Sequence, residues 1–199
     1  MQKLAGLTMV IGAAIAFYGE SRPSVLAVYG SSDMQTQLEA IAANSGGWAT
    51  ANTLMAAGGI VVAVGLILFA VQVQSLGVAQ RVKTAAFAGA GAALLGALLH
   101  GVERYNNIHA WETYAGFPFP YPLAWIAGLA LIGLVMLWSA YPNWLGWVLI
   151  VASLLLLVGA LVGFLPPALV YFPLVVMAVV LLIKATPQPA VSEPSAGIA

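Results

Sequence analysis

The sequence has no cysteine, only two histidines, and few charges: six basic and six acidic residues among 199, or 6%. Without cysteine, disulfides, thiolate metal ligands and thiol redox chemistry are excluded. A formal net charge of zero, with no basic stripe, leaves no nucleic acid among the expected partners. The scarce charges also avoid the middle of every long apolar run. A retinal Schiff base needs a central lysine, but Lys83 and Lys184 fall at run ends. Proton-coupled transport relies on an ionisable group at mid-bilayer. Paired haems on four axial histidines cannot be built from His100 and His109 alone. Thr8, Thr53, Thr84 and Ser153 are nearly the whole polar inventory of the runs, with Gln72 and Gln74 at one end.

What the chain does have is apolar bulk, at 62% hydrophobic residues. Crossing about 30 Å of hydrocarbon takes roughly 20 mostly apolar residues. Six segments qualify once interfacial residues complete them: Leu4–Tyr18, Leu54–Val71, Ala85–Val102, Leu123–Trp138, Trp144–Phe164 and Ala168–Ile183. They are continuously apolar rather than alternating, which indicates helices and not barrel strands. The expected fold is therefore all-α: a polytopic integral membrane bundle of six transmembrane helices over 1–184, followed by a disordered cytoplasmic tail at 185–199. Lys3, the run Leu4–Phe17 and Ala14-Ile15-Ala16 also match a signal peptide with an A-x-A site. We expect the first helix to be retained, giving six spans; cleavage would give five.

Placing the N-terminus in the cytoplasm puts Lys3, Arg81, Lys83 and Lys184 inside and Arg22 and Arg104 outside. That split follows the positive-inside rule. Glu20, Asp33, Glu39, Glu103 and Glu112 then lie outside, and both termini lie inside. The expected location is the plasma (inner) membrane, with membrane lipids and other membrane subunits as partners.

The first external loop, about Gly19 to Thr50, is too long for a simple turn. Ser32 followed by Gln35 reads as an N-cap with its capping box, and Met34, Leu38, Ile41 and Ala42 repeat at helical spacing. This predicts an amphipathic surface helix over Asp33–Ala43, stopped by Gly46-Gly47 and lying over the tops of the bundle helices. In the third span, Gly89, Gly91 and Gly96 among many alanines suit close helix approach and make it the expected packing centre. The second span, with Gly58-Gly59 and Gly65, is another interior candidate; the fifth, with Leu154 through Leu157, reads as lipid-facing. Phe117 through Pro122 alternates proline and aromatic residues and reads as a stiff extended connector. Trp138, Tyr141, Trp144 and Trp147 form an inner aromatic belt around a Pro142-Asn143 turn. Pro166-Pro167 opens the last span and Pro173 is expected to kink it.

The polar centre is His100 to Glu112, where H-x-x-E occurs at His100/Glu103 and again at His109/Glu112. Residues three apart share a helix face, so each pair can present an imidazole and a carboxylate together. His100, Glu103, His109 and Glu112 are thus a candidate site for a divalent metal. On one unbroken helix the two histidines would stand half a turn out of phase with about 13.5 Å of rise, so a shared metal requires a break at Asn106-Asn107.

A structural reading is favoured. His100, Glu103, Arg104 and Asn107 (offsets 0, 3, 4 and 7) form a polar face at the emerging end of the third span, with Arg104 pairing with Glu20 or Asp33. Between the two readings stands a ligand site. Gly96 would leave room one turn below His100 for an apolar tail, and His100, Arg104, Asn107 and Asn52 would hold its head group. The leading functional expectation is a non-catalytic membrane protein, either an accessory subunit of a complex or a binder of an apolar, lipid-like ligand at the outer leaflet. A metal-dependent membrane enzyme with an external His/Glu site and a small-solute transporter using helix breaks are the alternatives.

Overall fold

The computed structural model describes residues 1–109, 120–162 and 167–184. Over these the chain is helical, with no strand among the described residues. The helices are α1 (Gln2–Glu20), α2 (Pro23–Tyr29), α3 (Met34–Ala43), α4 (Ser45–Gln74), α5 (Gln80–His109), α6 (Pro120–Leu137), α7 (Asn143–Leu161) and α8 (Phe172–Ile183), with a 3-10 turn at Pro167–Val170. Four of them, α1, α4, α5 and α7, are long and apolar enough to cross a membrane. Pro122–Leu137 of α6 and Phe172–Ile183 of α8 are apolar but shorter. The chain thus has the make-up of a multi-pass membrane protein.

Neighbouring long helices run antiparallel. Gly12 of α1 meets Gly58 and Val62 of α4, Gly59 of α4 lies near His100 of α5, Gly96 of α5 meets Trp125 of α6, and Gly133 of α6 meets Gly146 and Ile150 of α7. The α8 helix packs on α1, with Ala178 and Leu182 against Gly6, and also touches α7. In lipid such approach depends on small residues, because apolar side chains gain little by leaving lipid tails. The tightest case is α1 on α4: a Cβ at Gly58 would lie 2.5 Å from the Ala16 nitrogen and 2.6 Å from the Gly12 carbonyl oxygen. The expected packing centre, α5, admits α6 at Gly89 and Gly96, but Gly91 has no neighbouring atom within 4 Å. The main core runs through Met9, Leu66, Phe69, Leu129, Ile132, Leu145 and Leu174, all buried. On α7, Leu154 and Leu155 are exposed and Leu156 is buried, so the leucine run faces outward only in part.

Several expectations are corrected. The second span is the centre of a 30-residue helix that starts at Ser45, so Gly46-Gly47 opens α4 rather than ending α3. Asn44 makes the boundary: it is the C-cap of α3 and its side chain accepts from the Gly47 nitrogen at 3.0 Å. Asp33, not Ser32, caps α3, accepting from the Thr36 nitrogen at 2.8 Å. No residue of α3 is buried, so it is perched on the bundle, with Ala40 and Ile41 half-buried against Val25, Val28, Trp48, Ala51 and Met55. The short α2, begun by Pro23, was not anticipated; it buries Ser24, Val25 and Val28. Pro120 and Pro122, expected in an extended connector, lie in the first turn of α6, where the missing N–H has no intrahelical partner to lose. Pro173 kinks nothing, because α8 begins at Phe172 and places that proline in its first turn. Residues 110–119, Pro166 and the 185–199 tail lie outside the described residues.

Candidate functional site

The antiparallel pairing of α4 and α5 brings the first turns of one beside the last turns of the other. On α5 the buried face runs through Ala86, Gly89, Ala93, Gly96 and Ala97 and ends in three polar residues, His100, Arg104 and Asn107. These are 2%, 2% and 4% exposed, and Asn52 opposite them on α4 is fully buried. A buried guanidinium is costly unless each of its nitrogens is met. Arg104 Nη1 donates to the Tyr29 hydroxyl at 3.0 Å and, at a long 3.4 Å, to Asn52 Oδ1. Arg104 Nη2 lies 3.6 Å from Glu103 Oε2. That same oxygen is 3.5 Å from His100 Nδ1, an ion pair only when the imidazole is protonated. The Asn52 amide is oriented by its other end, where Nδ2 donates to the Trp48 carbonyl at 2.9 Å. Trp48 in turn donates Nε1 to the Asn107 carbonyl at 2.9 Å. Asp33, one expected partner of Arg104, instead caps α3.

Aromatic residues close the cluster. Tyr29 packs on Trp48 with ring centroids 6.2 Å apart. Trp125 fills the place left open by Gly96, where a Cβ would lie 2.8 Å from its Cδ1. The space expected there for a ligand tail is therefore occupied by protein. Tyr171, between the 3-10 turn and α8, meets Trp125 edge-on at 5.6 Å and Phe17 at 6.4 Å. Its hydroxyl reaches Gly59, where an added Cβ would be 2.9 Å from it and 3.9 Å from His100 Cδ2. Four aromatic residues (Tyr29, Trp48, Trp125 and Tyr171) thus belong to the cluster although sequence reasoning did not place them in it. Tyr29 and Trp48 fall in the expected external loop, and Trp125 and Tyr171 near the starts of apolar runs, where an aromatic residue equally fits interfacial anchoring.

The metal candidates divide. The α5 helix continues unbroken through Asn106 and Asn107 to His109, so the break required for a shared metal is not made there. His100 is buried beside Glu103, whereas His109 is exposed and stacks edge-on with Tyr105 at 4.2 Å. Glu112 lies outside the described residues. Among the described residues no three His, Cys, Asp or Glu side chains gather as a ligand set.

An apolar groove lies in the same half of the bundle, between the first half of α6 and the second half of α7. It is an open depression of about 300 Å³ walled by Leu123, Ile126, Ala127, Ala130, Ile150 and Leu157, among others. The one hydroxyl on its wall, Ser153, donates to the Leu149 carbonyl at 2.7 Å and is satisfied within its own helix. The chemistry of such a surface is contact with hydrocarbon. Comparison with known protein families, with curated proteins and with solved structures finds no match for this chain.

Proposed function

We propose that the protein is a non-catalytic multi-pass membrane protein that holds an apolar, lipid-like molecule in the groove between α6 and α7. In this reading α6 and α8 complete a six-span bundle in the inner membrane, with both termini cytoplasmic and the Arg104 cluster and the groove toward the outer leaflet. The distribution of Lys and Arg supports that orientation. The observation that carries the function is the groove itself: about 300 Å³ lined almost wholly by apolar side chains, with its hydroxyl already bonded internally. The Arg104 cluster serves as a clasp that ties α2, α4 and α5 together beside it.

Native mass spectrometry of gently solubilised protein tests the reading. Wild type is expected to retain one apolar molecule, and Ala130→Phe, which fills the groove, to lose it while remaining helical. Equal retention by both proteins would refute the groove. Recovery of a stable larger complex with no retained apolar molecule would move the role to that of an accessory subunit. The absence of cysteine makes orientation simple to check. Single cysteines at the exposed Ser32 and Ser75 should label with an impermeant maleimide from outside and inside respectively.

A further inference from the structure

The end of the bundle away from Arg104 is basic. The antiparallel order gathers there the starts of α1 and α5, the ends of α4 and α8, and the connector between α6 and α7. Lys3, Arg81, Lys83 and Lys184 all belong to this end, and no Asp or Glu lies at it among the described residues. Arg81 turns toward α6, where its guanidinium lies 5.9 Å from the centroid of the Trp138 ring. Lys83 lies on another flank of α5, in an open depression of about 470 Å³ between the end of α4 and the start of α5.

The walls of this depression are Gln74 from α4 and Gln80, Lys83, Thr84, Phe87 and Ala88 from α5. Lys83 is half-buried and the others are exposed, so both polar and apolar surface is accessible within it. On α5 these residues stand at offsets 0, 3, 4, 7 and 8, which is one helix face. The face is graded. An amide, an ammonium and a hydroxyl occupy the first turn, and a phenyl ring and a methyl group follow one turn deeper. Gly91, at offset 11, continues it. Unlike Gly89 and Gly96 on the same helix, Gly91 has no neighbouring atom within 4 Å of the place a Cβ would take. No contact among the described residues accounts for a glycine there, although glycine weakens a helix relative to alanine. Leu95 and Leu98, both exposed, carry the face on toward the other end.

We infer that this face of α5 is a binding site for an anionic phospholipid. The Lys83 ammonium pairs with the phosphate, and the Thr84 hydroxyl and the amides of Gln74 and Gln80 serve its remaining oxygens and the head-group hydroxyls. One acyl chain passes over Phe87 and Ala88 into the shallow track left by Gly91. Charge selects the class of lipid. Among the described residues the cations at this end meet no carboxylate there, so a head group carrying its own ammonium finds no anion to pair with. The spacing also suits a lipid, because Gly91 lies about 12 Å along the helix from Lys83, well below head-group level. The inference rests on the multi-pass membrane character of the chain. It is independent of the α6–α7 groove and of which way the bundle faces.

Native mass spectrometry of the full chain, titrated with phosphatidylglycerol or phosphatidylcholine, tests it. Wild type should bind one phosphatidylglycerol at least about fivefold more tightly than phosphatidylcholine, as expected for one lysine acting on an anionic head group. Lys83→Gln combined with Thr84→Val should remove that preference. Gly91→Leu, which puts a side chain across the track and leaves the head-group residues intact, should weaken retention of phosphatidylglycerol. All three positions lie on the outer surface, so the variants should keep the circular dichroism of wild type. Lys184→Gln, at the same end but outside the depression, should retain the lipid as wild type does. So should Ala130→Phe, which separates this site from the groove. Equal retention of the two lipids by wild type would overturn the inference. A loss in Lys184→Gln equal to that in the double variant would do the same, since it would leave only a general attraction to basic charge. A dimer that Gly91→Leu dissociates would instead give the face to a second copy of the chain, and would also overturn it.

Discussion

Replacing Arg104 by methionine removes the guanidinium from the α4–α5 cluster while keeping most of the side-chain volume. At least three of its partners then change. The Tyr29 hydroxyl loses a bond of good length, 3.0 Å, and Asn52 Oδ1 loses a weak one at 3.4 Å. Glu103 loses the guanidinium 3.6 Å away. A hydrogen bond to a charged group contributes about 1.5–3 kcal/mol, and stranding one member of a fully buried ion pair costs about 3–5 kcal/mol. Glu103 is 18% exposed, so water reaches it and the second figure applies only in part. The combined loss expected for Arg104→Met is ~3 kcal/mol. Because part of that loss is a stranded carboxylate, adding Glu103→Gln should restore about 1 kcal/mol rather than destabilise further. Reversible unfolding in mixed micelles, followed by circular dichroism as denaturing detergent is raised, gives both numbers. A single-variant loss well below ~1 kcal/mol, or two losses that simply add, would show that the guanidinium does not organise this cluster.

At the α1–α4 contact, Gly58→Ala forces a methyl group into the Ala16 and Gly12 backbone and should destabilise by about 2–3 kcal/mol in the same assay. Gly91→Ala, with open space around it, should fall within about 1 kcal/mol of wild type. Hydrogen exchange should reveal the Asp33 cap. The Thr36 hydroxyl and then the Thr36 amide hold the Asp33 carboxyl below its ordinary value of 3.8. A pKa depressed by folding means that the cap is complete above that value and fades as pH falls through the lower folded value. Protection of the α3 amides should follow that course, and Asp33→Asn should abolish the pH dependence. Gly59→Ala should displace the Tyr171 ring, read as altered near-ultraviolet dichroism with far-ultraviolet signal retained.

The sequence made the helical class legible because continuous apolar runs leave helices as the simplest spanning form. It also made the α5 half of the polar cluster legible, since His100, Arg104 and Asn107 share a face at offsets 0, 4 and 7. Asn52, on a separate helix, shares no periodic pattern with that face. The helix limits were less readable. The polar stretch Ser45–Thr53 looks like loop, yet Trp48 and Asn52 within it are buried against α5, and that tertiary contact carries α4 nine residues beyond the apolar run. With seven residues, α2 is too short for a periodic signal. Pro122 and Pro173 read as breakers because proline inside a helix is costly, but each stands in a first turn, and composition does not locate the start. Tyr171 reaches the cluster only because α8 returns to α1, a contact between the two ends of the chain that no local pattern encodes.

The helices differ widely in length. At 30 residues each, α4 and α5 rise about 45 Å. The 12 residues of α8 rise about 18 Å, and with the preceding 3-10 turn about 26 Å. Hydrocarbon near 30 Å thick is therefore overshot on one flank and undershot on the other. With α8 as a span, as proposed, lipids beside it would have to compress to meet it, and the protein would then favour thinner bilayers and deform thicker ones around that flank.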